Sequence, residues 1–456
     1  MQRDDLAIVI LAAGMGTRMK SRLPKVLHPV AGRSMLGHVL ALAAALDPAR
    51  VVVVHGPGEE GAAVAREARR WLPEAALAEQ AERKGTGHAV MQALPALDGF
   101  DGRVLVLYGD VPLLTRETLQ ALLEKAADAP LAVLGFEAAD PTGYGRLILS
   151  EDGGVDAIIE EKDASEEQRR VTLCNSGVMV AGAGMLRRLL PMLRAENAQG
   201  ELYLTDLVAL TRKEGKTVAL STCREKETLG VNDRAQLATV ERIVQRRLRM
   251  AAMREGVTFA DPDSVFLSWD TRLGRDVTVG PFVVFGPGCT VADNVTIHSH
   301  CHLEGAVVEE GAQIGPFARL RPGARVMAGA KVGNFVEVKN ATVEAGAKVN
   351  HLSYIGDATV GEKANIGAGT ITCNYDGFLK HRTEIGAGAF IGSNSALVAP
   401  VKIGPGALVA AGSTITKDVP GDALAIERAE ERIVEGWAAR YRARKKHEKE
   451  RRKAGK

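Results

Sequence analysis

The sequence predicts an α/β chain in two regimes: an open, mostly parallel sheet covered by helices, then a parallel β-helix of six-residue repeats. Two observations carry this. Between residues 267 and 415 aliphatic side chains return at a six-residue step, as in Leu273, Val279, Phe285 (an aromatic stand-in), Val291, Ile297 and Leu303. That period fits neither the 3.6 of a helix nor the 2.0 of a lone strand, and belongs to short strands coiling round a triangular prism. Before it, strand-like apolar runs alternate with helical stretches, the pattern of a sheet with crossover helices.

Taken in order, strands are expected over 6–11, 51–54, 104–108, 132–136 and 178–180. The run 6–13 follows Asp4 and Asp5 and leads straight into a glycine loop, so a buried first strand is expected there rather than a leader segment. A helix over 234–255, with Leu237, Val240, Val244, Leu248 and Ala251 on one face, is the expected connector. The chain of 456 residues therefore divides into 1–230, a helical linker 231–256, and a coil domain 257–456. From Leu267 the register predicts roughly eight coils of about 18 residues. Aromatic content of only 4% beside 49 glycines suits such a coil better than an aromatic-packed sandwich. Five scattered cysteines without paired metal spacing point to a reducing cytoplasm. The tail 440–456 holds ten Lys or Arg against two Glu, and is expected to be a solvated, frayed end. No aromatic platform accompanies that charge and no run approaches membrane-spanning length, so neither a nucleic-acid nor a membrane partner is expected.

The first strand empties into Leu11-Ala12-Ala13-Gly14-Met15-Gly16-Thr17-Arg18-Met19, with Pro24-Lys25 soon after. Ligands of parallel sheets sit beyond the carboxyl ends of strands. Bare backbone N–H groups there can wrap a phosphate chain while Arg18 and Lys25 offset its charge; a glycine turn with incidental cations is the alternative. The Walker spacing and the six-residue dinucleotide fingerprint are both absent. Tyr108-Gly109-Asp110 ends another strand, where a carboxylate is either a hard oxygen ligand facing the same crevice or a turn cap.

On the coil, Arg321 and Lys339 each follow a corner residue and stand 18 residues, one coil, apart. Their Cα atoms should be about 4.8 Å apart on one outer face. Like charges so placed cost roughly 1 kcal/mol, which an anion between them would reverse; solvated side chains splaying apart is the alternative. His351, two residues after Val349, points outward. The register fails between Ile366 and Ile385, so a loop is expected across 368–377, and such breaks often mark working sites. The run His298-Ser299-His300-Cys301-His302 would suit a metal-dependent hexapeptide enzyme, but rings about 7 Å apart along one strand converge poorly on zinc.

Leu-x-x-Gly-x-Gly-Thr-x-Met-x-x-x-x-Pro-Lys, over residues 11–25, resembles the signature of sugar-1-phosphate nucleotidylyltransferases. Joined to a hexapeptide coil, it is similar over nearly the whole chain, the basic tail apart, to one bacterial family. Its members are bifunctional N-acetylglucosamine-1-phosphate uridyltransferases and glucosamine-1-phosphate N-acetyltransferases. The resemblance implies a Rossmann-like nucleotidyltransferase domain followed by a left-handed parallel β-helix, trimeric through its coils, with acetyl sites at subunit boundaries. It implies UTP binding by Leu11, Ala12, Ala13, Gly14 and Lys25, with Gln80, Gly85 and Thr86 reading the uracil and Tyr108 and Gly109 beside them. Asp110 and Asn232 would hold Mg²⁺, and Gly145, Glu160 and Asn175 would contact the sugar; Ser176 stands where threonine is commoner. Uridylyl transfer needs positioning and charge neutralisation, which Lys25 and Arg18 would supply. In the coil the resemblance makes His351 the general base toward the sugar amine, imidazole being the side chain that ordinarily titrates nearest neutrality. Arg321 and Lys339 would hold the sugar phosphate, and Tyr354 and Asn365 the sugar. Ala368, Asn374, Tyr375, Ser393, Ala411 and Arg428 would line the acetyl-CoA groove, although Glu427 departs from the usual small residue. A non-catalytic regulatory subunit of similar build could lose Gly16, Lys25, Asp110 or His351 without penalty to its fold, yet all four are present. A different sugar or nucleotide remains open at this point, because pocket shape sets that choice.

Overall fold

The computed structural model of the chain describes residues 5–151 and 153–454. Asp4, Gly455 and Lys456, on which parts of the leader and tail arguments fall, lie outside the described residues. Two compact units emerge, Met1–Ala252 with Phe266–Asp270, and Met253–Val265 with Thr271–Lys456.

The first unit is built on a nine-stranded sheet. Its strands are β1 (Leu6–Ala12), β2 (Arg50–His55), β3 (Ala76–Glu79), β4 (Arg103–Tyr108), β5 (Leu131–Glu137), β6 (Arg146–Leu149), β7 (Val155–Ile159), β8 (Leu173–Gly182) and β9 (Val218–Cys223). The spatial order is β9-β5-β8-β4-β1-β2-β3, with the β6–β7 hairpin attached through β8. Every residue of β1 is buried, and the strand's alternation sorts Ala7, Val9 and Leu11 into one core and Leu6, Ile8, Ile10 and Ala12 into the other. A strand covered on both faces reads as a continuous apolar run, which is why it was legible. The run expected over 178–180 belongs to the longer β8, which pairs antiparallel with both β4 and β5. Edge strands β3 and β9 escaped sequence reading because their burial is incomplete and their composition mixed.

The helix Arg234–Arg254 forms as expected, and Leu237, Val240, Val244 and Leu248 pack on Met19, Val30, Met35 and Leu113. Ala251, expected on that face, is exposed. Leu267, read as the first corner of the coil, instead belongs to a short strap of the first unit. The Gln245 amide explains this, because it bonds both the carbonyl (2.7 Å) and the N–H (2.9 Å) of Leu267.

The second unit carries three parallel sheets of ten, eight and eight strands, each strand pairing with the one a coil later. One corner row runs Val279, Ile297, Ile314, Val332, Val349, Ile366, Ile391, Val409 in unbroken register. All eight are buried, so the six-residue period is the stacking of the prism's interior. The register breaks between Ile366 and Ile385 as expected, but not from residue 368 onward. Thr372 continues it in place of an aliphatic, wholly buried, with its hydroxyl satisfied by Gly356 N–H (2.8 Å) and carbonyl (3.0 Å). The extruded loop therefore begins later than 368 and returns through a Tyr375–Lys380 bridge. It is stapled by Asp376, which accepts from the N–H groups of Leu379 (2.7 Å) and Phe378 (2.8 Å) and from His381 (2.8 Å). Those bonds, the Leu379 N–H first, hold its carboxyl down at about 2. The tail is likewise not frayed: Trp437–Ala454 is an α-helix with no buried residue. Glu448 bridges Lys445 and Arg452 at 2.8 Å each, the one-turn spacing that supports an exposed helix.

Candidate active sites

At the carboxyl end of β1 lies a cavity of about 380 Å³ lined by Leu11, Ala12, Ala13, Gly14, Lys25, Gln80, Arg83, Gly85, Thr86, Tyr108 and Asp110, among others. Sequence motifs spread over a hundred residues thus converge on one hollow. Gly16 makes this possible locally: its φ is +59° and an added Cβ would sit 2.6 Å from Lys25 Cβ, so only glycine lets the loop close over Lys25. Arg18 sits on a short 3-10 turn and does not line the cavity. Lys25 Nζ pairs with Asp110 and donates to Asn232 Oδ1 at 3.2 Å. Two hard oxygens from distant segments therefore converge on one cation. Among the described residues no cluster of three or more His, Cys, Asp or Glu could hold a metal alone. A divalent ion here would rest on these two oxygens and complete its shell from water and substrate, a set that fits Mg²⁺.

Gln80 is buried, its amide donating to Gly85 O at 3.0 Å and lying 3.1 Å from His88 Nδ1. Beyond it, Gly145, Glu160 and Asn175 come together as expected. Asn175 N–H donates to Gly145 O (2.8 Å), and Glu160 accepts from Thr205 Oγ1 (3.3 Å). Arg146 fixes this corner from beneath, fully buried and paired with Glu161 at 2.6 Å. Ser176 donates to Leu134 O at 2.7 Å and accepts from Val178 N–H at 3.2 Å. Burial raises the Glu160 pKa, Thr205 opposes the shift, and Asp163 and Asp206 add to it. Burial, then the charges of Glu160 and Asp110, pushes the Tyr108 hydroxyl well above its ordinary range.

On the coil, Leu320 and Val338 are register partners, so Arg321 and Lys339 do stand on successive coils. The like-charge strain expected there is absent, because carboxylates interleave. Arg321 Nη1 bonds Glu337 at 2.8 Å and Lys339 Nζ lies 3.8 Å from Asp357. Tyr354 is the register partner of Glu337 and its ring folds over Gly356. His351 Nδ1 lies 2.7 Å from Asn334 Oδ1. An amide oxygen only accepts, so Nδ1 is the donor in this bond and Nε2 is the nitrogen that Asn334 leaves unengaged. Asn365 belongs to the ten-stranded sheet, between Lys348 and Phe390, the sheet that also carries Asn334 and His351, while Arg321, Lys339 and Tyr354 flank another. Ala368, Ser393 and Ala411 stack on successive coils, Asn394 N–H reaching Ala368 O (2.7 Å), Gly412 N–H reaching Ser393 O (2.8 Å) and Arg428 reaching Ala411 O (3.1 Å). Glu427 turns back onto Thr414 N–H (3.3 Å). Tyr375 is exposed on the loop, whereas Asn374 is buried against Asp357.

Residues 8–201 match the MobA-like NTP transferase domain, and residues 270–305 and 382–417 match the bacterial transferase hexapeptide repeat. The chain is 55% identical over 448 residues to the bifunctional protein GlmU of Paramagnetospirillum magneticum, covering 97% of this chain and 98% of that protein. The GlmU of Parvibaculum lavamentivorans is 58% identical over 443 residues, covering 97% of each, and that of Azorhizobium caulinodans 57% over 444, covering 97% and 98%. The chain belongs to the GlmU family. It is accordingly a bifunctional enzyme of UDP-N-acetylglucosamine synthesis, a Rossmann-like uridyltransferase joined to a left-handed β-helical acetyltransferase.

Several residues at the sites were invisible in the sequence. Asn334 bonds His351 from one coil away, and Glu337 and Asp357 stand against Arg321 and Lys339. Lys380 comes so close to Lys339 across the loop that repulsion, eased by Asp357, lowers its own pKa. Asp357 is itself shifted: burial works against its charge, but bonds from Asn340 and Asn374 and the Lys339 charge overcome that and lower its pKa. Only the coil spacing could have found Asn334, since it lies 17 residues before His351.

Proposed function

We propose that residues 1–230 transfer uridylyl, 231–256 link, and 257–456, the strap 266–270 of the first unit apart, transfer acetyl. In the coil, the amine of glucosamine 1-phosphate attacks the acetyl carbon of acetyl-CoA, the C–S bond breaks, and His351 Nε2 takes the amine proton. Arg321, Lys339 and Lys380 hold the sugar phosphate, and together with Glu337 and Asp357 they keep one positive charge in excess for it. Tyr354 and Asn365 contact the sugar; Ala368, Asn374, Tyr375, Ser393, Ala411 and Arg428 serve acetyl-CoA. In the sheet unit, a phosphate oxygen of N-acetylglucosamine 1-phosphate attacks the α-phosphorus of UTP, and the bond to the departing pyrophosphate breaks. Lys25 neutralises the phosphate chain, with Arg18 assisting from the loop. Mg²⁺, held by Asp110 and Asn232, would supply charge stabilisation to the reacting phosphates. The convergence of Asp110 and Asn232 on Lys25, itself part of the cavity wall with Asp110, supports this reading most directly.

The enzyme acts as a homotrimer in the cytoplasm. What supports the trimer is the hexapeptide-repeat match over 270–305 and 382–417, with the proposed sugar contacts divided between two sheets of the coil, Asn365 on one and Arg321 and Tyr354 on the other. No helix among the described residues is long and apolar enough to cross a membrane. The deciding experiment supplies glucosamine 1-phosphate, acetyl-CoA, UTP and magnesium, and reads CoA and pyrophosphate separately. Both should appear, pyrophosphate only after acetylation; release of neither would overturn the proposal.

Glu160 gives a pH prediction. With its carboxyl raised, it takes up a proton at higher pH than an ordinary glutamate and ceases to accept from a sugar hydroxyl. The KM for N-acetylglucosamine 1-phosphate should therefore climb on acidification from above the usual carboxylate range, and Glu160→Gln should flatten that climb. An identical pH profile in the variant would remove Glu160 from the sugar site. In folding the same shift has the opposite sense, its contribution being full below the unfolded value and lost as pH rises through the folded one.

A further inference from the structure

Resting on the reading of the sheet cavity as a nucleoside-triphosphate site, we propose that Arg83 is a further nucleotide-binding residue, its Nε holding the glycine loop while its terminal nitrogens bind the phosphate chain. Arg83 lies between β3 and the helix Thr86–Ala93, outside the glycine-loop motif, and lines the cavity beside Ala13, Gly14 and Lys25. Its Nε donates to Ala13 O at 2.8 Å across 70 residues of chain. The guanidinium rests over Gly56, where an added Cβ would come within 2.8 Å of Nη2 and 3.5 Å of Ala13 O. It thus spans the ends of β1 and β2, the edge of the crevice where ligands of parallel sheets sit.

Charge accounting singles it out. Lys25 is matched by Asp110 and Lys84 by Glu82, while Arg18 stands outside the cavity lining. No ion pair is formed by Arg83 among the described residues, so it is the cavity-lining cation without a carboxylate. Guanidinium is a planar fork with five donors; with Nε spent on Ala13, the remaining N–H groups are available for phosphate oxygens. Gly56 leaves the seat open, and the backbone bond fixes the fork's orientation before nucleotide arrives.

The test uses the full-length enzyme, with UTP and uridine binding measured by calorimetry beside uridylyl-transfer kinetics. Arg83→Gln should weaken UTP binding and raise its KM roughly tenfold, the size of one charge-assisted hydrogen bond, with kcat and uridine affinity nearly unchanged. Arg83→Lys should recover part of the UTP affinity by restoring the charge. Equal loss for uridine and UTP would reduce Arg83 to a loop latch and overturn the proposal, as would unaltered UTP affinity. A wild-type enzyme that turns over no UTP would instead overturn the parent reading of the cavity.

Discussion

Replacing His351 with alanine should lower acetyl transfer about a hundred- to ten-thousand-fold, the usual worth of a positioned general base, while leaving uridylyl transfer at the wild-type rate. The reason is geometric. His351 sits on the coil with Nδ1 committed to Asn334, so Nε2 is the nitrogen available to take the proton that the attacking amine sheds, and none of the cavity residues at the sheet belongs to the coil unit. Assaying CoA release with glucosamine 1-phosphate and pyrophosphate release with preformed N-acetylglucosamine 1-phosphate separates the two steps. Asn334→Ala should reproduce part of the defect through loss of tautomer and ring orientation, lowering kcat for acetyl transfer about tenfold with KM little changed. Equal loss of both activities in His351→Ala would contradict the division of labour.

Lys25→Ala should have the converse effect, with uridylyl transfer falling about a hundred- to a thousand-fold and acetyl transfer untouched. A second readout follows from the resting geometry. The ammonium engages both Asp110 and Asn232, so it competes with a divalent ion for the same two oxygens. In the nucleotide-free protein, titration with Mn²⁺ should show tighter binding to Lys25→Ala than to wild type. Weaker or equal binding would mean that this oxygen pair is not where the ion is held.

Much of the second unit was readable because its period is its structure. Stacking one aliphatic on the next every coil writes the register directly into the sequence, and the same spacing placed Arg321 beside Lys339 one coil apart. Thr372 shows the limit: a buried polar residue kept the register where hydrophobicity lapsed, because the Gly356 backbone satisfies its hydroxyl, and the loop was consequently located too early. The strap at Leu267 failed for a related reason, since a residue in step with the repeat was captured by Gln245 of another element. In the first unit, doubly covered strands were visible and edge strands were not, because only the former must be continuously apolar.

The sequence by itself determined the two architectures, the glycine loop with Lys25, and the cations and histidine of the coil, because each is encoded in local spacing or in a contiguous motif. Partnership was decided by tertiary structure alone. That Asn334 should hold His351, that Asp357 should stand against Lys339, that Lys25 should bridge Asp110 and Asn232, and that Arg83 should reach Ala13 all depend on segments brought together by folding. Hydrophobic period sets which residues face outward and at what height. Which outward side chains then meet depends on rotamer, loop path and the neighbouring carboxylate, and none of these has a signature along the chain.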